Sequence, residues 1–166
     1  PPKATALSNP NTGFLIKGWA DDAYQVMEDA RVCLSPLRFG AGIKGKLLEA
    51  MIMQTPSVTT PIGSEGMRQD EPWSGAICED AQQFSGAAVA LYQDEALFNE
   101  AQQNGQQLLQ KYYDKSKLQT QLIAKIKAVS ESLISHRQAN FTGQMLKHHT
   151  MRSTLYMAQW IEAKNK

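Results

Sequence analysis

A chain of 166 residues is long enough for one domain with a sizeable core, since about 150 residues bury roughly two-thirds of the surface they expose when unfolded. With 42% hydrophobic and 20% charged residues the composition is that of a globular fold, and the apolar runs fall far short of the roughly 20 residues a bilayer span requires. The net charge of +1 conceals a split: residues 1–100 carry 7 Lys/Arg against 13 Asp/Glu, and residues 101–166 carry 10 against 3, which suits the second part to an acidic partner such as a membrane surface, nucleic acid or another domain.

Residues 1–12, rich in Pro, Asn, Ser and Thr, read as an irregular lead-in without an initiator Met or a cleavable signal, as in a processed or excised piece. The apolar run Gly13–Trp19 (GFLIKGW) predicts a strand, and Asp21 and Asp22 predict the N-cap of a helix carrying Ala23, Val26, Met27 and Ala30 at helical spacing. Arg31–Leu37 (RVCLSPL) is nearly all apolar, as in a strand buried on both faces, with Pro36 at its end. A glycine loop follows, then GKLLEAMIM, whose apolar residues almost all round predict a buried helix beginning near Ile43. Ser57–Thr60 predicts a third strand, IGSEGM a second glycine loop, and Gly75–Cys78 a fourth, short strand. Strands alternating with helices define a parallel, doubly wound sheet, whose ligands bind beyond the carboxyl ends of the strands, where both glycine loops fall.

From Asp80 onward only helices are expected. Asp80 with Gln83 and Ser116 with Gln119 have capping-box spacing, and Leu118, Leu122, Ile126, Val129 and Leu133 form an apolar stripe that is core or interface. Asn140–Gly143 interrupts it before a last helix, Gln144–Ala163. The two cysteines, Cys33 and Cys78, form no disulfide framework, which favours packing roles and a reducing, cytoplasmic compartment.

The loop Gly40-Ala41-Gly42-Ile43-Lys44-Gly45 matches G-x-G-x-x-G, the dinucleotide fingerprint, but Pro-Leu-Arg-Phe separates it from the strand and the next strand ends in Thr59-Thr60 instead of an acid. Gly40 to Leu47 is one residue from a Walker A loop, with Leu47 where the Mg²⁺-binding hydroxyl belongs. A structural turn with solvated lysines is a third reading. The fourth starts from Glu49, a carboxylate in the second turn of a mostly apolar helix, tilted back toward the loop. Lys46, three residues earlier, is an ordinary ion-pair partner for it. Alternatively Glu49 accepts hydrogen bonds from vicinal hydroxyls while the helix N-terminus and lysines hold phosphates, the layout of a ribose diphosphate. His148 and His149 are adjacent, so they diverge on a helix as surface residues, and no His/Cys cluster or Asp-x-Asp offers a metal site.

SPLRFGAGIKGKLLEAM followed by QTPSVTTPIGSEGM resembles the donor-binding half of the group 1 glycosyltransferases, family 4, of the two-domain B fold; the sharp resemblance covers Val32–Met67 and a looser one reaches about Tyr113. It implies a Rossmann-like α/β domain over residues 1–113 with a helical extension, 114–166, packed on it. The activity implied is retaining transfer of a sugar from a nucleotide-diphosphate donor to an acceptor in glycan or cell-envelope polysaccharide synthesis, without a cofactor.

In such a site Glu49 would contact the donor ribose, and Gly40, Ala41, Gly42, Ile43, Lys44 and Lys46 would lie against the diphosphate. Backbone around Gly18 would border the base, and the loop with Gly63 and Glu65 would close the other side. Many members carry a second glutamate eight positions before this one; here that position is Ala41, or Leu37 if the comparison is anchored on Phe39-Gly40, so Arg38, Lys44 or Lys46 would take part of its work. The B fold also uses an N-terminal acceptor domain, so the expectation is a C-terminal piece that binds nucleotide sugar weakly and does not transfer sugar alone. Its basic tail would face that domain or the anionic inner membrane face; no nucleic acid is expected. The alternative from another class is a non-catalytic interaction module docking through the Leu118–Leu133 stripe.

Overall fold

The computed structural model describes residues 2–165, and of residues 2, 3 and 148–151 the backbone only. The chain divides into two compact units, Pro1–Asp114 and Lys115–Lys166.

In the first unit, α1 (Pro2–Thr5), a 3-10 turn at Pro10–Thr12 and α2 (Ala23–Glu28) precede the sheet. Asp22 caps α2 as its sequence position predicts, accepting from the amides of Tyr24 and Gln25. The strand predicted at Gly13–Trp19 does not form. Gly13 (φ 75°) and Gly18 (φ 80°) turn the backbone at both ends, Phe14 makes an isolated antiparallel bridge with Asn9, and the Ile16 amide donates to Ser8 Oγ at 3.0 Å. Its polar groups are thus bonded locally, outside any ladder, and Trp19 is 90% exposed.

The sheet consists of β1 (Cys33–Ser35), β2 (Ser57–Thr59) and β3 (Gly75–Ile77), parallel and ordered β1-β2-β3, with Ser35 opposite Thr59 and Thr59 opposite Ile77. Between β1 and β2 runs α3 (Gly45–Ile52), and between β2 and β3 the short α4 (Pro61–Ser64). Beyond β3 come α5 (Ala81–Gln93) and α6 (Glu95–Tyr112). As the central strand, β2 is wholly buried, and its polar side chains are paired: Thr59 Oγ1 donates to the Ser35 carbonyl at 3.0 Å, and Ser57 Oγ accepts from Trp73 Nε1 at 3.1 Å.

Two cores lie on opposite faces. Leu47 and Met51 of α3 pack with Met67, Trp73 and Leu108 on one face, and Val58 packs with Cys78, Leu91 and Ala101 on the other. Each fully buried Leu, Met or Val contributes about 1.5–3 kcal/mol from its apolar area. Helix α6 reaches both cores, through Leu108 and Ala101, and passes so close to the sheet that a Cβ on Gly105 would lie 2.6 Å from Ser74 Oγ. The expectation that β1 is buried on both faces fails at Leu34, 56% exposed, because on that face α5 packs on β2 and β3 and leaves β1 largely uncovered. The uniformly apolar α3 also exposes one side, at Ile52.

The second unit holds α7 (Lys115–Glu131), α8 (Leu133–Ala139) and α9 (Phe141–Lys164). Helix α7 begins before Ser116, so Ser116 is a first-turn residue and not the predicted cap. Asn140, read from sequence as part of an interruption, caps α9 by accepting from the Gly143 amide at 2.9 Å, which starts the last helix earlier than predicted. The stripe from Leu118 to Leu133 is exposed, Leu122 at 59% and Ile126 at 58%. His148 and His149 lie outside the residues whose side chains are described.

Candidate functional site

Parallel pairing sends the chain out of β1 and β2 at the same edge of the sheet. There Thr60 ties the two exits together: its hydroxyl donates to the Leu37 carbonyl at 2.7 Å and also accepts from the Gly63 amide as the cap of α4. The predicted IGSEGM loop is therefore partly helical, because Thr60-Pro61 is a strong helix start. Gly63 is buried in it, with a Cβ there falling 1.9 Å from Thr59 Oγ1, whereas Glu65, at the end of α4, is exposed.

The loop after β1 is open. Arg38, Phe39, Gly40, Ala41, Gly42 and Ile43 are all exposed. Gly40 (φ 146°) and Gly42 (φ 71°) adopt backbone conformations that side chains disfavour, so these glycines set the loop's shape. Lys44 is the exception: it is only 8% exposed, and its ammonium folds back to donate to the Gly42 carbonyl at 2.7 Å. An ammonium has three donor hydrogens, and this bond uses one of them.

Lys44 is also the N-cap of α3, which begins at Gly45, two residues later than the predicted start near Ile43. It gives the helix no side-chain cap. The caps of α2, α4, α5 and α6 are Asp or Thr side chains bonded to first-turn amides, and the first amides of α3 receive no such bond from Lys44. Lys46 is exposed on the first turn, and its charge reaches Cys33: burial pushes that thiol above its ordinary value and Lys46 pulls it partly back. Burial likewise raises Cys78, with the Asp80 charge adding to it, and raises Tyr113, whose hydroxyl donates to the Met67 carbonyl.

Glu49 lies one turn into α3 and is half-buried. Among the described residues it has no ion-pair partner; the salt bridge present there joins Lys111 to Glu71 at the surface. The Lys46–Glu49 pair allowed by their spacing is therefore not formed. Leu47 is fully buried in the core, which removes it from any metal and with it the Walker A reading.

The structure thus places the loop from Arg38 to Lys46 and the Gly63–Glu65 turn at one edge of the sheet, tied by the Thr60–Leu37 hydrogen bond, with Glu49 one turn into the helix that follows the first of them. Gly18 (φ 80°) is exposed, in a segment whose Ile16 amide donates to Ser8 and whose Phe14 pairs with Asn9. Sequence reasoning missed two residues at this edge, Thr60, and Ser35, fully buried with its hydroxyl unpartnered among the described residues. A hydroxyl ending an otherwise apolar strand was the available signal for Ser35. A separate cleft of about 360 Å³, lined by Arg31, Val32, Leu34, Ala88, Val89 and Tyr92, lies on the opposite sheet face and contains none of the predicted residues. Arg31 there stacks on the Phe98 ring, 3.8 Å from its centroid. Among the described residues no cluster of three His, Cys, Asp or Glu side chains is present.

A parallel sheet with helices on both faces and glycine loops at its carboxyl edge is the Rossmann-like, doubly wound α/β class of fold. Within that class the chain matches the family of glycosyl transferases group 1 over residues 2–94, more than half its length, and it belongs to that family. Comparison with curated proteins and with solved structures found no match.

Proposed function

We propose that this glycosyltransferase chain binds a nucleotide-diphosphate sugar at the carboxyl edge of its sheet and supports a retaining transfer to an acceptor. Glu49 accepts hydrogen bonds from the ribose hydroxyls. The amides opening α3, with Lys44 and Lys46, hold the diphosphate, and Arg38 and the Gly63–Glu65 turn border the sugar. Cleavage of the sugar–phosphate bond builds negative charge on the leaving diphosphate, so fixed cations there stabilise the transition state more than the ground state. A helix N-terminus contributes only about 0.3–1 kcal/mol at an exposed site, so Lys44 and Lys46 carry most of that stabilisation.

The observation that carries the reading is Glu49, half-buried and unpaired one turn from an uncapped helix start. The buried Lys44 ammonium, bonded to a single loop carbonyl, supports it further.

The test is the melting temperature of the chain with UDP, GDP, ADP, MgATP or NAD at millimolar concentration. One nucleoside diphosphate should stabilise, by about 2.7 kcal/mol at one hundred times its dissociation constant. Glu49→Ala should remove that gain and leave the ligand-free melt nearly unchanged. Absence of any shift, or a shift that survives Glu49→Ala, refutes the assignment.

A further inference from the structure

Among the described residues the second unit has helices but no buried core. Of its residues with described side chains, none is buried and only Gly143 is even half-buried. Large apolar side chains stand in water throughout: Leu122 at 59%, Ile126 at 58%, Ile134 at 76%, Phe141 at 74%, Tyr156 at 59% and Trp160 at 58%. Apolar surface on this scale marks a surface that meets something else.

Charge identifies the occupant. Residues 115–166 carry nine Lys/Arg against two Asp/Glu, and there is no acidic residue in 115–130 or in 132–161. Lys125 stands in the groove formed by Ile126, Val129 and Leu133, so cation and apolar side chains share one face. Nucleic acid would pair with the cations but leave the leucines and isoleucines wet. An anionic bilayer surface satisfies both, with headgroup phosphates meeting the lysines and the acyl boundary taking the apolar and aromatic side chains. Among the described residues no helix is long and apolar enough to cross a membrane, so the arrangement lies on the bilayer.

We propose that residues 115–165 form a peripheral binding face for anionic phospholipid bilayers. The inference is independent of the nucleotide site, which lies wholly in the first unit.

The test is flotation of the full chain with vesicles of phosphatidylcholine containing about 30 mol% phosphatidylglycerol, against phosphatidylcholine alone, at low and high salt. Binding should be at least roughly tenfold stronger to the anionic vesicles and should weaken with salt. Lys125→Gln with Lys127→Gln should lower it about fivefold per lysine. Leu122→Ser with Ile126→Ser should lower it as well, while the melting of the first unit stays unchanged in both variants. No binding at low salt, equal binding to the two vesicles, or indifference to both double variants overturns the proposal. So does self-association that is lost with Leu122→Ser and Ile126→Ser when vesicle binding is absent.

Discussion

Gly75 shows how one residue without a side chain holds the sheet together. At the start of β3 it has φ 130°, and a Cβ there would fall 2.1 Å from the Ser57 carbonyl of the neighbouring strand. Backbone cannot rotate away as a side-chain tip would, so Gly75→Ala combines conformational strain of about 1–3 kcal/mol with parting of the β2–β3 pair. The expected outcome is a loss of at least 2 kcal/mol, roughly the middle of that range, in a urea titration followed by circular dichroism. A loss under roughly 0.5 kcal/mol, as at an ordinary surface site, would mean the clash is absent. Sequence marks Gly75 only as a glycine at a strand end; the neighbour that forbids Ala comes from pairing with residue 57, which no local pattern encodes. Glu49 is the converse case. Its place in the second turn was legible, but its lack of a partner was not, because Lys46 had the right spacing and only the folded side-chain positions exclude the pair.

At the scale of elements, helix starts marked by Asp were legible, since a cap is a short-range hydrogen bond written in adjacent residues, whereas those of α3, α7 and α9, which lack an Asp cap, were misplaced. Asp22 and Asp80 accept from the amides their positions predict, whereas Gln83 reaches past the cap to accept from the Glu79 amide instead of that of Asp80, so the predicted box is only half formed. Asp94 does double duty: its amide closes α5 onto the Ala90 carbonyl, and its carboxylate opens α6 by accepting from Ala96 and Leu97. Asp94→Ala should cost about 1 kcal/mol, while Asp94→Asn, which keeps the acceptor, should cost much less. Thermal melts of the two variants check this, and equal losses would argue against a capping role. Strands were harder. The run at 13–19 has the composition of a strand yet lacks a ladder partner, and Ser35 and Leu34 differ in burial because they point to opposite faces of β1, one covered by α3 and the other beyond the reach of α5.

For the whole molecule, both cores found among the described residues are drawn from the first unit, so that unit is expected to fold by itself. A chain ending at Asp114 should therefore melt cooperatively within a few degrees of the first transition of the full chain; failure of the truncated chain to fold would show that the helical unit contributes to the core. The charge division has the same boundary in view: acidic residues predominate before it and basic residues after it.

What the sequence alone determined is local or periodic: the α/β order of strands and helices, the Asp caps, the glycine loop, the basic helices of the second part, and through SPLRFGAGIKGKLLEAM the family. What only the tertiary structure decided is partnership. It joined Thr60 to Leu37, folded Lys44 onto Gly42, left Glu49 without an ion pair and kept Gly13–Trp19 out of the sheet. The physical reason is range. Caps and amphipathic periods are settled by residues within about four positions, whereas pairing across the sheet joins residues 18 positions apart between β2 and β3 and 24 between β1 and β2, whose meeting is a property of the packed whole.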